Sequence, residues 1–185
     1  MEDRCLCSEI IPCCLFLGKK KFAQNPNLLK MHDISAIVNL TDVPLMLPDW
    51  LPVHWSPIQD TVEQGIDWIE DAAKFIEKQL ADKKKVFVHC VMGISRSATL
   101  IIYYLITRHV ESLIYSKNDN NIDRPTMTLR EAYQYVVSKR SIIQPNIGFI
   151  KCLIEYEKTM HGIESMTETE YVKIAHSPLF IPDKI

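Results

Sequence analysis

His89-Cys90-Val91-Met92-Gly93-Ile94-Ser95-Arg96-Ser97 lies between a short apolar run, Val86-Phe87-Val88, and a longer one that continues to Thr107. The first run reads as a buried strand and the second as an apolar helix. A tight loop between them would turn its backbone N–H groups inward as a nest, and the helix would aim its N-terminus at the same point. Gly93 permits the turn. Such a loop binds a tetrahedral oxyanion, and the Arg96 guanidinium adds a fork of donors that matches two phosphate oxygens. The same positive surroundings would lower the Cys90 thiol to roughly 3.5–7.5, so that a thiolate exists at neutral pH. A thiolate beneath a bound phosphate is placed for in-line attack on phosphorus. Ser97 would hydrogen-bond that thiolate as it leaves, and His89 would orient the loop. A lone C-x5-R is better explained by a buried structural cysteine. The His before it, the Gly within, the Ser after and the flanking elements favour chemistry.

The leaving oxygen needs a proton, which calls for a carboxylic acid beside the anion. Asp60 stands at the end of a weak strand, Val53 to Ile58, just ahead of a capping-box pattern, Thr61-Val62-Glu63-Gln64. From position alone it serves equally well as acid or as helix start. Asp67 falls inside the expected helix, and Asp42 and Asp49 lie in a Pro-rich loop, so they are weaker choices. The capping box is expected to open a helix that places Ile66, Ile69, Ala73, Ile76 and Leu80 on one face.

Further out, Cys14 to Leu17 and Ile34 to Leu40 read as strands, and Asn25-Pro26-Asn27 as a helix start. Thr128-Leu129-Arg130-Glu131 is a second capping box, and Asn146 caps a last helix. Residues from about 112 to 126 form an Asn-rich insertion, read as a surface loop, and residues from 162 onward read as a tail.

The 185 residues suit one domain of 1–161 followed by that tail. A net charge of −2 gives no basic field for nucleic acid. The longest apolar run, between Arg96 and Arg108, is too short to cross a bilayer, which takes about 20 residues. No secretory leader or lipidation motif is visible, so the expected setting is the cytoplasm, with the nucleus also open. Cys5, Cys7, Cys13 and Cys14 raise a zinc reading, but no C-x-x-C or His pair supports it. Cys13 and Cys14 are expected on a strand and Cys5 and Cys7 on a loose arm. No metal or other cofactor is expected.

His89 to Thr99 resembles the signature of the dual-specificity protein phosphatases. Ser8 to Gly18, Ile34 to Thr41, Pro57-Ile58-Gln59-Asp60 and Gln144 to Glu155 are similar to further segments of that family. The resemblance covers about residues 8 to 160. It implies an α/β fold with a mixed central sheet and helices on both faces. It also implies a phosphocysteine intermediate on Cys90, Asp60 as acid then base, and phosphate held by Arg96 and by Val91, Met92, Gly93, Ile94 and Ser95.

Cys13 departs from the family's usual Gly, and the Asn-rich stretch is longer than the usual link. No kinase-docking domain precedes residue 8, so the chain resembles the small atypical members. No Lys stands between Cys90 and Arg96, which favours a phosphorylated protein over a polyanionic lipid headgroup. Phosphotyrosine and phosphoserine or phosphothreonine are the expected substrates, in a signalling role, with no nucleic-acid or membrane partner. The rivals are a phosphatase of a lipid, RNA-end or carbohydrate ester, and a silent phosphopeptide-binding domain.

Overall fold

The structure is a computed structural model that describes residues 6–108 and 126–175. Its strands are β1 Cys7–Ile11, β2 Leu15–Lys19, β3 Ala36–Asn39, β4 Val53–Trp55 and β5 Val86–Cys90. They form one sheet in the order β1-β2-β5-β3-β4. The β1–β2 hairpin is antiparallel, and every other pairing is parallel. The expected mixed α/β sheet is what the chain forms.

The helices are α1 Lys20–Ala23, α2 Pro26–Met31, α3 Ile69–Ala81, α4 Arg96–Thr107, α5 Leu129–Lys139, α6 Ile147–His161 and α7 Glu168–Ala175. Successive residues of a strand face opposite sides. Leu15, Leu17, Ala36, Val38, Val86, Val88 and Cys90 therefore enter one core, with α3 to α7. Phe16, Ile37 and Phe87 enter the other, against α1 and α2. A sheet covered on both faces explains why β3 and β5 read as unbroken apolar runs. Helix α4 is buried nearly all round, from Ser97 to Ile106, as its lack of a polar face requires.

The structure corrects the sequence reading in several places. Cys7 is no loose arm: it begins β1 and sits opposite Gly18. Burial pushes its thiol up to about 12. Cys13 and Cys14 lie in the hairpin turn, and Cys13 has φ 59°. That left-handed backbone is the reason a glycine suits this position.

Helix α3 starts at Ile69 rather than at Thr61. The Thr61–Gln64 pattern closes only a turn, with the Gln64 N–H donating to the Thr61 carbonyl at 3.3 Å. Gly65 follows, and its carbonyl accepts from the Trp68 indole at 2.9 Å. The turn also packs on α6: a Cβ on Gly148 would stand 2.2 Å from the Val62 carbonyl. By contrast, the Thr128–Glu131 capping box and the Asn146 cap both form.

The segment after Gly162 is not a free tail as far as Ala175. Met166 and Tyr171 are buried in the main core. The buried Glu157 carboxylate accepts from the Leu129 N–H at 2.6 Å and from the Ser165 N–H at 2.8 Å. Arg130 then donates to the Ser165 carbonyl at 2.6 Å and pairs with Glu170 at 2.8 Å. Most of the Asn-rich insertion lies outside the described residues, as do residues 176–185. Among the described residues no helix is long and apolar enough to cross a membrane.

Candidate active site

The parallel strands β2, β3 and β5 end together at Lys19, Asn39 and Cys90. The carboxyl ends of such a sheet are where open α/β folds hold ligands. Here β5 ends on Cys90, and after five intervening residues α4 begins at Arg96. Between them Gly93 takes φ 66°, and a Cβ there would stand 2.4 Å from the Gly18 carbonyl. Gly18 is as confined, since its own Cβ would meet the Leu6 carbonyl at 2.2 Å.

Cys90 is the buried floor of the loop. Its Sγ accepts from the Gly93 N–H at 3.2 Å and from the Ser97 hydroxyl at 3.2 Å. Burial by itself would raise the thiol. The Ser97 hydroxyl, the N–H groups of Ser97 and Ile94 and the Arg96 charge outweigh it, and hold Cys90 below the ordinary thiol value. The thiolate is thus favoured where negative charge meets converging donors.

Arg96 is anchored from behind, its Nη1 donating to the Leu40 carbonyl at 3.2 Å and to the Ile58 carbonyl at 2.9 Å. Its buried Nε has no hydrogen-bond partner, although Asp60 Oδ2 lies 3.6 Å away. His89 is fully buried, and its Nδ1 lies 3.1 Å from the Cys90 carbonyl. Burial pushes its imidazole down to about 4, so it is neutral beside the positive loop. The side chains of Val91 and Met92 are exposed at the rim, and the Ile94 carbonyl accepts from the Gln144 N–H at 2.9 Å.

Asp60 reaches the same site from the segment after β4. Its Oδ1 accepts from the Ser95 hydroxyl at 2.6 Å and from the Asn146 amide at 2.8 Å. Ser95 stands at the N-cap of α4 but does not cap it. Its hydroxyl is turned to Asp60 and accepts from the Asn146 N–H at 3.0 Å. Of the aspartates weighed, Asp60 is the one that touches both Ser95 and Arg96.

Two contributors escaped sequence reading. Asn146 caps α6 as expected, accepting from the Phe149 N–H at 3.0 Å, while the other end of the same amide holds Asp60. Arg140 is buried behind the loop and donates to the Gly93 carbonyl at 2.8 Å and the Met92 carbonyl at 3.3 Å. Holding those carbonyls away from Cys90 leaves the N–H side of the peptide units for the anion. A basic pair at a helix end, Lys139-Arg140, ordinarily reads as a solvated complement to the helix dipole. Only its place before Gln144-Pro145-Asn146 hinted at more.

Residues 15–114 match the family described as dual specificity phosphatase, catalytic domain. Over 163 residues the chain is 32% identical to dual specificity protein phosphatase 14 of Homo sapiens, covering 85% of this chain and 73% of that protein. Over 148 residues it is 34% identical to dual specificity protein phosphatase 16 of Homo sapiens. That match takes in 78% of this chain but 20% of the relative's length. A crystal structure of a mouse dual specificity phosphatase complexed with zinc tungstate aligns with TM-score 0.70 at 26% identity. The alignment covers 85% of this chain and 90% of that one.

Proposed function

The chain belongs to the dual specificity phosphatase family, and on that premise we propose that it hydrolyses phosphotyrosine and phosphoserine or phosphothreonine on proteins through a phosphocysteine on Cys90. The observation that carries this reading is the pair of donors converging on Cys90 Sγ, from Gly93 and Ser97, in a loop backed by Arg96.

In the first step the thiolate attacks phosphorus as the ester P–O bond breaks. Protonated Asp60 gives its proton to the leaving oxygen. The Arg96 Nε and the loop N–H groups bind the equatorial oxygens, which carry the charge of the transition state. In the second step Asp60, now a carboxylate, takes a proton from water as that water attacks phosphorus. The S–P bond breaks, phosphate leaves and the thiolate returns to the donors of Ser97 and Gly93. Ser95 and Asn146 hold the Asp60 carboxyl toward the site, so they act as positioning residues. His89 positions the loop through the Cys90 carbonyl.

The test is an acid quench during turnover of a phosphotyrosine peptide, followed by mass spectrometry of the digested protein. Phosphate on the peptide that contains Cys90 is the expected result. Phosphate on another residue overturns the mechanism. Phosphopeptide binding without turnover of any phosphate ester, small aryl phosphates included, would leave a binding domain.

A further inference from the structure

Helix α6 is entered through Gln144-Pro145-Asn146, and this segment touches both parts of the catalytic site. The Gln144 N–H serves the loop, at the Ile94 carbonyl. Asn146 serves the Asp60 arm twice. Its side-chain amide donates to Asp60 Oδ1 at 2.8 Å, and its backbone N–H donates to the Ser95 hydroxyl oxygen at 3.0 Å. That N–H shares one rigid peptide plane with the Pro145 carbonyl, so whatever holds the carbonyl also aims the N–H.

The Pro145 carbonyl lies outside the hydrogen-bond ladder of α6, which opens one residue later with the Ile150 N–H on the Asn146 carbonyl at 3.2 Å. Pro145 is buried, so its carbonyl needs a partner from elsewhere in the chain. Tyr171 supplies it: the phenol, buried on α7, donates to the Pro145 carbonyl. Its ring packs edge to face on Tyr133 of α5, with the centroids 5.4 Å apart. Burial pushes the phenol above the ordinary tyrosine value, so it stays a donor across the neutral range.

A set of local contacts brings Tyr171 to this point. Gly162, at φ 68°, ends α6 and turns the chain back. Glu157 and Arg130 hold Ser165, and Met166 is buried in the main core. Thr167 then opens α7 in a reciprocal pair with Glu170: the Glu170 N–H donates to the Thr167 hydroxyl at 3.2 Å, and the Thr167 N–H donates to the Glu170 carboxylate at 2.8 Å. Lys151 of α6 pairs with Glu168 at 3.2 Å.

The hydrogen bonds run in one line. The Tyr171 hydroxyl donates to the Pro145 carbonyl, the Asn146 N–H to Ser95 Oγ, and the Ser95 hydroxyl to Asp60 Oδ1. Every donor points toward Asp60, and bonds in such a chain polarise one another.

We propose that Tyr171 is a positioning residue for Asp60: through the Pro145–Asn146 peptide unit, α7 sets the Ser95 and Asn146 donors that aim the carboxyl at the leaving oxygen. The proposal rests on the phosphatase reading above.

The test is Tyr171→Phe, which deletes the hydroxyl and keeps the ring, so the segment stays packed. It should lower kcat by about fivefold on phosphotyrosine and phosphothreonine peptides, the rate equivalent of one net hydrogen bond, with KM steady. The loss should be much smaller on an activated aryl phosphate, whose departure needs little protonation. On an Asp60→Asn background the same change should cost nothing further, because the route through Asp60 is already cut. An equal loss in both backgrounds, or on good and poor leaving groups alike, assigns Tyr171 to packing and overturns the proposal. Peptide turnover equal to wild type also overturns it. If the wild type turns over no phosphate ester, the phosphatase reading fails by itself. The line of bonds is then judged by NMR of the Asn146 side-chain amide: faster hydrogen exchange in Tyr171→Phe than in wild type supports it, and equal exchange overturns it.

Discussion

The loop from Cys90 to Ser97 and the arm that carries Asp60 meet at one point but are held by different means. Within the loop the nucleophile is fixed by its own neighbours: the Cys90 sulfur by Gly93 and Ser97, three and seven positions on. The arm is exposed, with the Asp60 side chain 31% accessible, and its bonds come from Ser95 and Asn146, 35 and 86 positions away. What a short stretch can hold by itself is written in that stretch. What is assembled from distant segments appears only when the chain is folded. The loop should therefore respond to substitution in an all-or-none way, and the arm in proportion to how poor the leaving group is.

The hardest break of the loop is Cys90→Ser. A hydroxyl has too high a pKa to be anionic there, so turnover should fall to background while vanadate binding persists; activity within about tenfold of wild type would show that Cys90 is not the nucleophile. Next comes Asp60, the proposed acid. Asp60→Asn should lower kcat by roughly 10²–10⁴-fold on phosphotyrosine and phosphothreonine peptides, and by much less on an activated aryl phosphate. Equal losses on good and poor leaving groups would mean that Asp60 only shapes the arm.

Arg140→Lys keeps the charge and loses the fork that spans the Met92 and Gly93 carbonyls. Loosening the loop in this way should cost about 10–100-fold in kcat on every substrate, good and poor leaving groups alike, because preorganised donors are lost. A leaving-group dependence would place Arg140 with the arm instead.

Asn146→Ser separates the two tasks of one side chain. Serine caps a helix as well as asparagine does, so stability should hold within about 0.5 kcal/mol. The Asp60 bond is lost, and turnover of poor leaving groups should drop by about tenfold, with KM steady. A change on activated aryl phosphates as well would assign Asn146 to the loop.

The mildest effect concerns stability. His89 has an imidazole near 4 in the fold against 6.5 ordinarily, so between those values the unfolded chain holds more protons. Stability should fall as pH drops from 6.5 toward 4, with a slope of at most about 1.4 kcal/mol per pH unit, and this contribution should be level above 6.5. Urea denaturation of wild type and His89→Gln at about pH 5 and about pH 7 checks it; equal pH dependence in the two would remove His89 as the cause.

The same division explains what the sequence made readable. The β5–loop–α4 unit and β3 were legible because burial on both faces leaves an uninterrupted apolar run. Strand β1 was not, since Cys7 to Glu9 are partly or fully exposed and only Ile10 and Ile11 are buried. The Thr61 pattern misled because a capping box is a local signal, and here Gly65 and the contact with Gly148 override it. The segment beyond Gly162 looked dispensable because its apolar residues are few and set among Glu, Thr and Lys. The partners that bury Tyr171 lie outside the segment: its ring packs edge to face on Tyr133 and its hydroxyl donates to the Pro145 carbonyl. At the site, Cys90, Arg96, Ser97 and His89 fall together because they are neighbours in the chain. Asp60 needed a family resemblance, and Arg140 carried almost no signal because buried and solvated arginines look alike in sequence.

The close approach of Gly93 to Gly18 bears on how this protein tolerates drift. Backbone from three segments lies in file there, with Leu6 over Gly18 and Gly18 over Gly93, and neither glycine has room for a methyl group. A saturation map of viability would then mark position 18 as sharply as position 93, although Gly18 belongs to a sheet strand and touches no phosphate. Anyone ranking positions by intolerance would count Gly18 among the chemical residues. It would be better counted as the wall against which the chemical residues are set.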